Sequence, residues 1–165
     1  MIIKLETRKE WDPHASSFQC LDKPSSHEDT LEDEILLPFP FTNRYVVQRR
    51  CYTNNRDNPQ LFEKIGCVKT TNKAWIILME PLEEGSYPTK EGLVRAESAS
   101  VTLIEELSEK PKRVAIKMTS EVNLKGKIPG WLLQLTVSKD QARGMRRFIS
   151  AYRENFAPKS QEEKR

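Results

Sequence analysis

The sequence predicts an α+β domain: a run of mostly antiparallel strands followed by one long amphipathic helix near the C-terminus. Three observations carry this. Residues 113–123 alternate, with Val114, Ile116, Met118, Ser120 and Val122 on one face and Arg113, Ala115, Lys117, Thr119 and Glu121 on the other. Ala142, Met145, Ile149, Tyr152 and Phe156 recur at steps of three and four, which is one stripe of a helix. Ahead of these segments the strand-like runs follow one another through loops, without the crossover helices that a parallel sheet needs.

The elements follow in order. Residues 3–12 are good helix formers, and Pro13 would stop that helix. Residues 13–34 read as loop, with Pro, Ser, His and the acidic cluster Glu28, Asp29, Glu32, Asp33 and Glu34. A short strand over 34–37 leads into Pro38-Phe39-Pro40, which must be extended. Residues 45–51 are rich in β formers and read as a strand. Three Asn and Pro59 make 53–62 a surface loop. Strands are expected at 65–68 and 74–79.

Two prolines, two glycines and five charged residues make 80–92 a long exposed loop. Little apolar burial offsets its ordering entropy, so it is expected to be the most mobile internal segment. Residues 93–106 read as one or two strands with a bend near 96–100. Gly126 to Gly130 is a turn. The terminal helix starts either at Ser138, which with Gln141 has the form of a capping box, or near Trp131 after Pro129. Residues 1–156 form one domain, and 157–165 are a polar tail. The C-terminal helix is the only element long enough to cover the apolar face of the sheet.

Composition excludes several classes. The chain has 165 residues, 37% hydrophobic and 31% charged, with a net charge of +3, so it is soluble and able to bury one core. Its longest apolar run, 74–79, is far short of the roughly 20 residues of a membrane span. Cys20, Cys51 and Cys67 are odd in number and widely spaced, which fits neither a disulfide framework nor a zinc site and suggests a reducing, cytoplasmic setting. The only histidines, His14 and His27, lie in the N-terminal loop. No nucleophile elbow or Gly-rich phosphate loop is present, so no catalytic residues and no cofactor are expected. His27 beside Glu28 and Asp29 reads as a solvated acidic run, not a metal site. No aromatic RNA-binding strand occurs, and nucleic acid is not an expected partner. Charge is uneven: residues 1–40 carry a balance of −5 and the remainder +8. A basic C-terminal portion suits an anionic surface. What is left is a binding role built on a concave apolar surface.

Arg8-Lys9-Glu10-Trp11-Asp12, then Pro38-Phe39-Pro40-Phe41-Thr42-Asn43-Arg44 before a strand, then Gly92-Leu93-Val94-Arg95, then Gly126-Lys127-Ile128-Pro129-Gly130-Trp131-Leu132-Leu133 before the terminal helix, occur in that order. Together they resemble a START domain, the lipid-transfer domain related to steroidogenic acute regulatory protein, over residues 6–156. The resemblance implies a helix-grip fold, a curved antiparallel sheet wrapped around the long C-terminal helix and enclosing a tunnel for one lipid. It implies that 80–92 and that helix gate the tunnel. It also implies a leading helix and strands ahead of residue 6, so an N-terminally truncated domain with one side of the tunnel open is expected. The loop 53–64 looks like an insertion.

Within the family, the phosphatidylcholine-transfer members resemble the chain through Arg8 and Asp12, which match their phosphate-binding Arg and its Asp partner. Four residues apart on a helix, these two share a face and can pair. The choline cage of those members falls near Asp33, Val46 and Ala99, none of them aromatic, so it is not carried over. The lipid site implied is Arg8, Asp12, Arg95, Met118, Trp131, Met145, Ile149 and Tyr152. The stripe Met145, Ile149 and Tyr152 is expected to face the sheet. Arg143, Arg146 and Arg147 are expected to face solvent and, transiently, an anionic membrane. The function implied is non-enzymatic binding and transfer of one lipid by a monomer, phospholipid over sterol. Two alternatives share the fold: an enzyme like the polyketide cyclases, or a lipid-sensing domain with an incomplete pocket.

Overall fold

A computed structural model describes residues 15–65, 73–109, 112–131, 146–147 and 149–150. Among these, seven strands form one sheet: β1 (Ala15–Ser25), β2 (Glu28–Ile35), β3 (Arg44–Asn54), β4 (Ala74–Pro81), β5 (Val94–Arg95), β6 (Glu97–Glu109) and β7 (Lys112–Asn123). The order across the sheet is β1-β2-β3-β4-β6-β7, with β5 paired to β3. Every pairing is antiparallel except β3 with β5. One short helix, α1 (Pro59–Lys64), interrupts the meander.

Two segments differ from the sequence reading, each for a physical reason, and a third keeps its loop character. Residues 15–35 are a β-hairpin, not a loop. The acidic run of β2 is strand because its carboxylates meet partners on neighbouring strands. Gln19 Nε2 donates to Glu32 at 2.8 Å, and Arg50 reaches Asp29. Apolar periodicity cannot register such a strand. Pro24 and the register shifts of β1 are tolerated because β1 is an edge.

The second segment is 53–64. β3 runs to Asn54, whose Oδ1 accepts from Arg56 N and Asp57 N at 2.9 and 3.1 Å. Asn58 then caps α1 by accepting from Leu61 N at 3.3 Å, and Pro59 fits the first turn, where no N–H is needed. Phe62, 2% exposed, packs on Ala74 and Ile76 and fastens α1 to the sheet. Burying such a ring stabilises by about 2–3 kcal/mol. The strand expected over 65–68 starts where α1 ends; residues 66–68 lie outside the described residues.

The third is 80–92. Residues 80 and 81 finish β4, and 82–92 are a mostly exposed loop, as the sequence predicts. Leu82 N donates to Val47 O at 3.1 Å, Lys90 pairs with Glu32, and Arg95 donates to the carbonyls of Leu82 and Glu83 at 2.9 and 3.0 Å. These contacts tie residues 82, 83 and 90 to the sheet. The bend expected near 96–100 falls at Ala96, between β5 and β6.

The C-terminal helix lies mostly outside the described residues. Helical backbone begins at Gly130, directly after Pro129, and is seen again at 146–147 and 149–150. Ile149 is 39% exposed, contrary to its expected inward position. Spacing of three and four says which residues share a stripe, not what the stripe meets. Met145 and Tyr152 lie outside the described residues. On β7, Val114, Ile116, Met118 and Val122 alternate as expected but remain 36–50% exposed.

Candidate functional site

β2 and β3 bring two opposite charges into the interior. Arg50 is 9% and Asp29 4% exposed, and they face each other directly in the antiparallel register. Arg50 Nε donates to Asp29 Oδ1 at 2.8 Å and Nη2 to Oδ2, a two-pronged contact. The guanidinium carbon also lies 5.8 Å from the centre of the Tyr52 ring. Removing two ions from water costs several kcal/mol each, so the site must repay that by pairing.

The register extends this pair across the sheet. Asp29, Arg50, Met79, Ser100 and Ser120 form one row over five strands, and Tyr52, Ile77, Thr102 and Met118 form the next. Side chains in such rows share a face. One face therefore runs from a buried ion pair at β2–β3 to Ile116 and Met118 on β7, about 14 Å away at the usual strand spacing. Its polar end is reinforced by Gln48, whose Nε2 donates to Ser98 O at 2.6 Å.

The opposite face carries a different concavity. A groove of about 750 Å³ lies between α1 and the sheet, with Leu61 and Ile65 against Ile76, Leu78, Val101 and Leu103. Cys51 sits in its floor, where burial first and Glu28 second push the thiol pKa up. The groove and the Asp29–Arg50 pair lie on opposite sides by register.

The expected site residues fall as follows. Met118 lies on the Arg50 face. Arg95 pairs in parallel register with Tyr45, which places it on the other face, where its Nη2 is engaged by Leu82 and Glu83. Its Nη1 is buried without a partner among the described residues. Trp131 is 59% exposed. Arg146 and Arg147 are exposed, as is Ile149. Arg8, Asp12, Arg143, Met145 and Tyr152 lie outside the described residues.

Asp29, Gln48 and Arg50 were not among the expected site residues. The signal was available in part: period two on β3 puts Val46, Gln48 and Arg50 on one face, and an arginine among apolar neighbours needs an acid. Finding that acid requires the register of β2.

An ordered set of motifs, a mostly antiparallel sheet and a charged row on one face converge with the sequence comparisons. The START domain family model matches residues 2–157. The chain belongs to the START family. No curated protein matches the sequence. Solved START structures share its fold. Human STARD10 superposes with a TM-score of 0.68 at 21% identity, over 94% of this chain and 59% of that one. Human StAR-related lipid transfer protein 5 gives 0.68 at 14%, over 89% and 64%. A STAR-related lipid transfer protein from Xanthomonas axonopodis gives 0.64 at 18%, over 90% and 73%. The chain thus spans less than two-thirds of the two human START structures.

Proposed function

We propose that this START domain binds one lipid against the Arg50 face and carries it between membranes without covalent chemistry. Two adjoining rows on one face, one starting at Asp29 and Arg50 and the other ending at Met118, are the observation that carries the reading. A polar, hydrogen-bonding end and an apolar end on one face match an amphiphile laid along the strand-to-strand direction. Burial of its hydrocarbon supplies about 0.8 kcal/mol per CH₂. Arg8 and Asp12 would add a second cation and its orienting acid at the headgroup, which favours a phospholipid over a sterol.

On this reading the 80–92 loop and the C-terminal helix together gate the site, with Lys90 of the loop paired to Glu32. Native mass spectrometry of the full chain tests the reading. A co-purified species of phospholipid mass, lost on delipidation and regained from vesicles, is the expected result. A chain that stays empty after incubation with both phospholipid and sterol vesicles would sink it.

A further inference from the structure

The face away from Arg50 has its own concavity. The groove between α1 and the sheet holds about 750 Å³, within the range of small-molecule pockets and far above a packing void. Its floor follows the register. Glu28, Cys51, Leu78 and Val101 form one row over four strands, and Thr53, Ile76 and Leu103 form the next. From Glu28 to Val101 is three strand spacings, about 14 Å. Phe62 pins α1 over Ala74 and Ile76, while Ile65 and Val101, both on the groove, are 47% and 46% exposed. Their hydrocarbon stands half in water, so an apolar guest that covers it is favoured.

The groove is polar at one end only. His27, Glu28 and Asp57 gather beside the start of β2, and the far end is Val101 and Leu103. Thirteen residues line it, two of them acids and none lysine or arginine, in a chain with 27 of those bases. Among the described residues neither carboxylate has a cation closer than 4.0 Å. Glu28 Oε1 lies 4.0 Å from Arg49 Nε, and Arg49 makes its closer contact, 2.7 Å, with Glu80. Asp57 Oδ2 accepts from Asn54 Nδ2 and lies 4.0 Å from His27 Nε2, while His27 Nδ1 is 2.9 Å from Ser26 Oγ. Each carboxylate keeps lone pairs for a further donor.

We infer that this groove is a second binding site, for a small amphiphile with an apolar body and a protonated amine. The body lies over Leu78, Val101 and Leu103, and the ammonium, with three donors and no acceptor, meets Glu28 and Asp57. A protein partner fits less well, since a stable interface uses about 20–30 residues a side. The site is separate from the lipid reading, because its rows and those of Arg50 belong to opposite faces of the sheet. Each methylene that the guest buries tightens binding roughly fourfold.

Site-resolved alkylation of the full chain tests it, because Cys51 lies in the groove floor and exposed Cys20 serves as the reference. The probes decylamine, decanol and decanoate share a tail and differ in head. Decylamine should protect Cys51 but not Cys20. Decanol should need a roughly threefold higher concentration, the worth of an exposed ion pair, and decanoate more than that. Glu28→Gln with Asp57→Asn should bring decylamine to the level of decanol. Calorimetric titration checks the location. Ile65→Ser should weaken decylamine about fivefold by removing hydrocarbon from the groove wall. Met118→Thr, on the Arg50 face, should leave it unchanged. Unprotected Cys51, equal protection by the three heads, or decylamine binding that Met118→Thr weakens and Ile65→Ser does not would overturn the proposal.

Discussion

The β2–β3 half of the sheet buries charge, whereas the β6–β7 half exposes hydrocarbon. In the first, Asp29, Glu32, Asp33, Arg44 and Arg50 are all below 10% exposed. In the second, Val101, Val114, Met118 and Val122 are 44–50% exposed, although Glu105 and Glu106 of β6 are also buried. The two halves have similar strand length and pairing, so secondary structure does not account for the contrast. Partners do. Asp29 meets Arg50, Glu32 meets Gln19 and Lys90, and Arg44 meets backbone carbonyls, while the apolar side chains of β7 lack such partners on their outer side among the described residues. A sheet with a polar, closed end and an apolar, open end suits an amphiphilic ligand better than a uniform core would.

Breaking the ion pair is the largest expected effect. Asp29→Leu should destabilise by about 3–5 kcal/mol, because it strands the Arg50 charge in the interior. The double variant Asp29→Leu with Arg50→Met should recover most of that loss, and chemical denaturation of the three proteins reads the coupling. A double variant as unstable as the single would mean that Arg50 holds the fold through other contacts.

Arg8→Ala probes whether the polar end extends beyond β2 and β3. Phospholipid binding should weaken by roughly 1.5–3 kcal/mol, the range for a hydrogen bond to a charged group, with little change for a sterol. Equal losses measured for the two ligands would make Arg8 a structural residue.

At the open end, Met118→Thr should cost less than about 1 kcal/mol in the ligand-free protein, since half of the side chain is already in water. A loss several times larger would show that the C-terminal helix packs tightly on β7 and would erase the contrast between the halves.

The smallest effect concerns Cys51, on the face away from Arg50. Its pKa is raised above the ordinary 9.0 by burial and by Glu28. A raised folded pKa means that the folded state holds the proton more tightly. The stabilisation is therefore whole below the unfolded thiol value and fades as pH rises through the folded one. Unfolding should become slightly easier above about pH 9, and Cys51→Ala should flatten that slope. Exposed Cys20 should be alkylated before Cys51.

Local pattern was enough for part of this protein. The alternation on β7, the β-formers of β3 and the apolar run of β4 are properties of covalent neighbours, and they survive into the structure. So does the helical start after Pro129, where the chain cannot continue as strand. The order of the motifs around Trp11, Phe39, Arg95 and Trp131 was legible as a START resemblance before any fold was known. Other features depended on residues far apart in the chain. β2 read as loop because most of its buried positions are polar, and the partners of Asp29 and Glu32, Arg50 and Lys90, lie 21 and 58 residues away. Arg95 read as a cavity residue, but pairing with β3 turned it to the opposite face. Phe39 read as part of a turn, and only the hydrogen bonds of Arg44 to Thr42 O, Leu124 O and Lys125 O set its loop beside the one that leads to Trp131. A sequence records which residues can pair and how often they recur. Which face they occupy follows from strand register, and in a sheet a shift of one residue reverses every side chain.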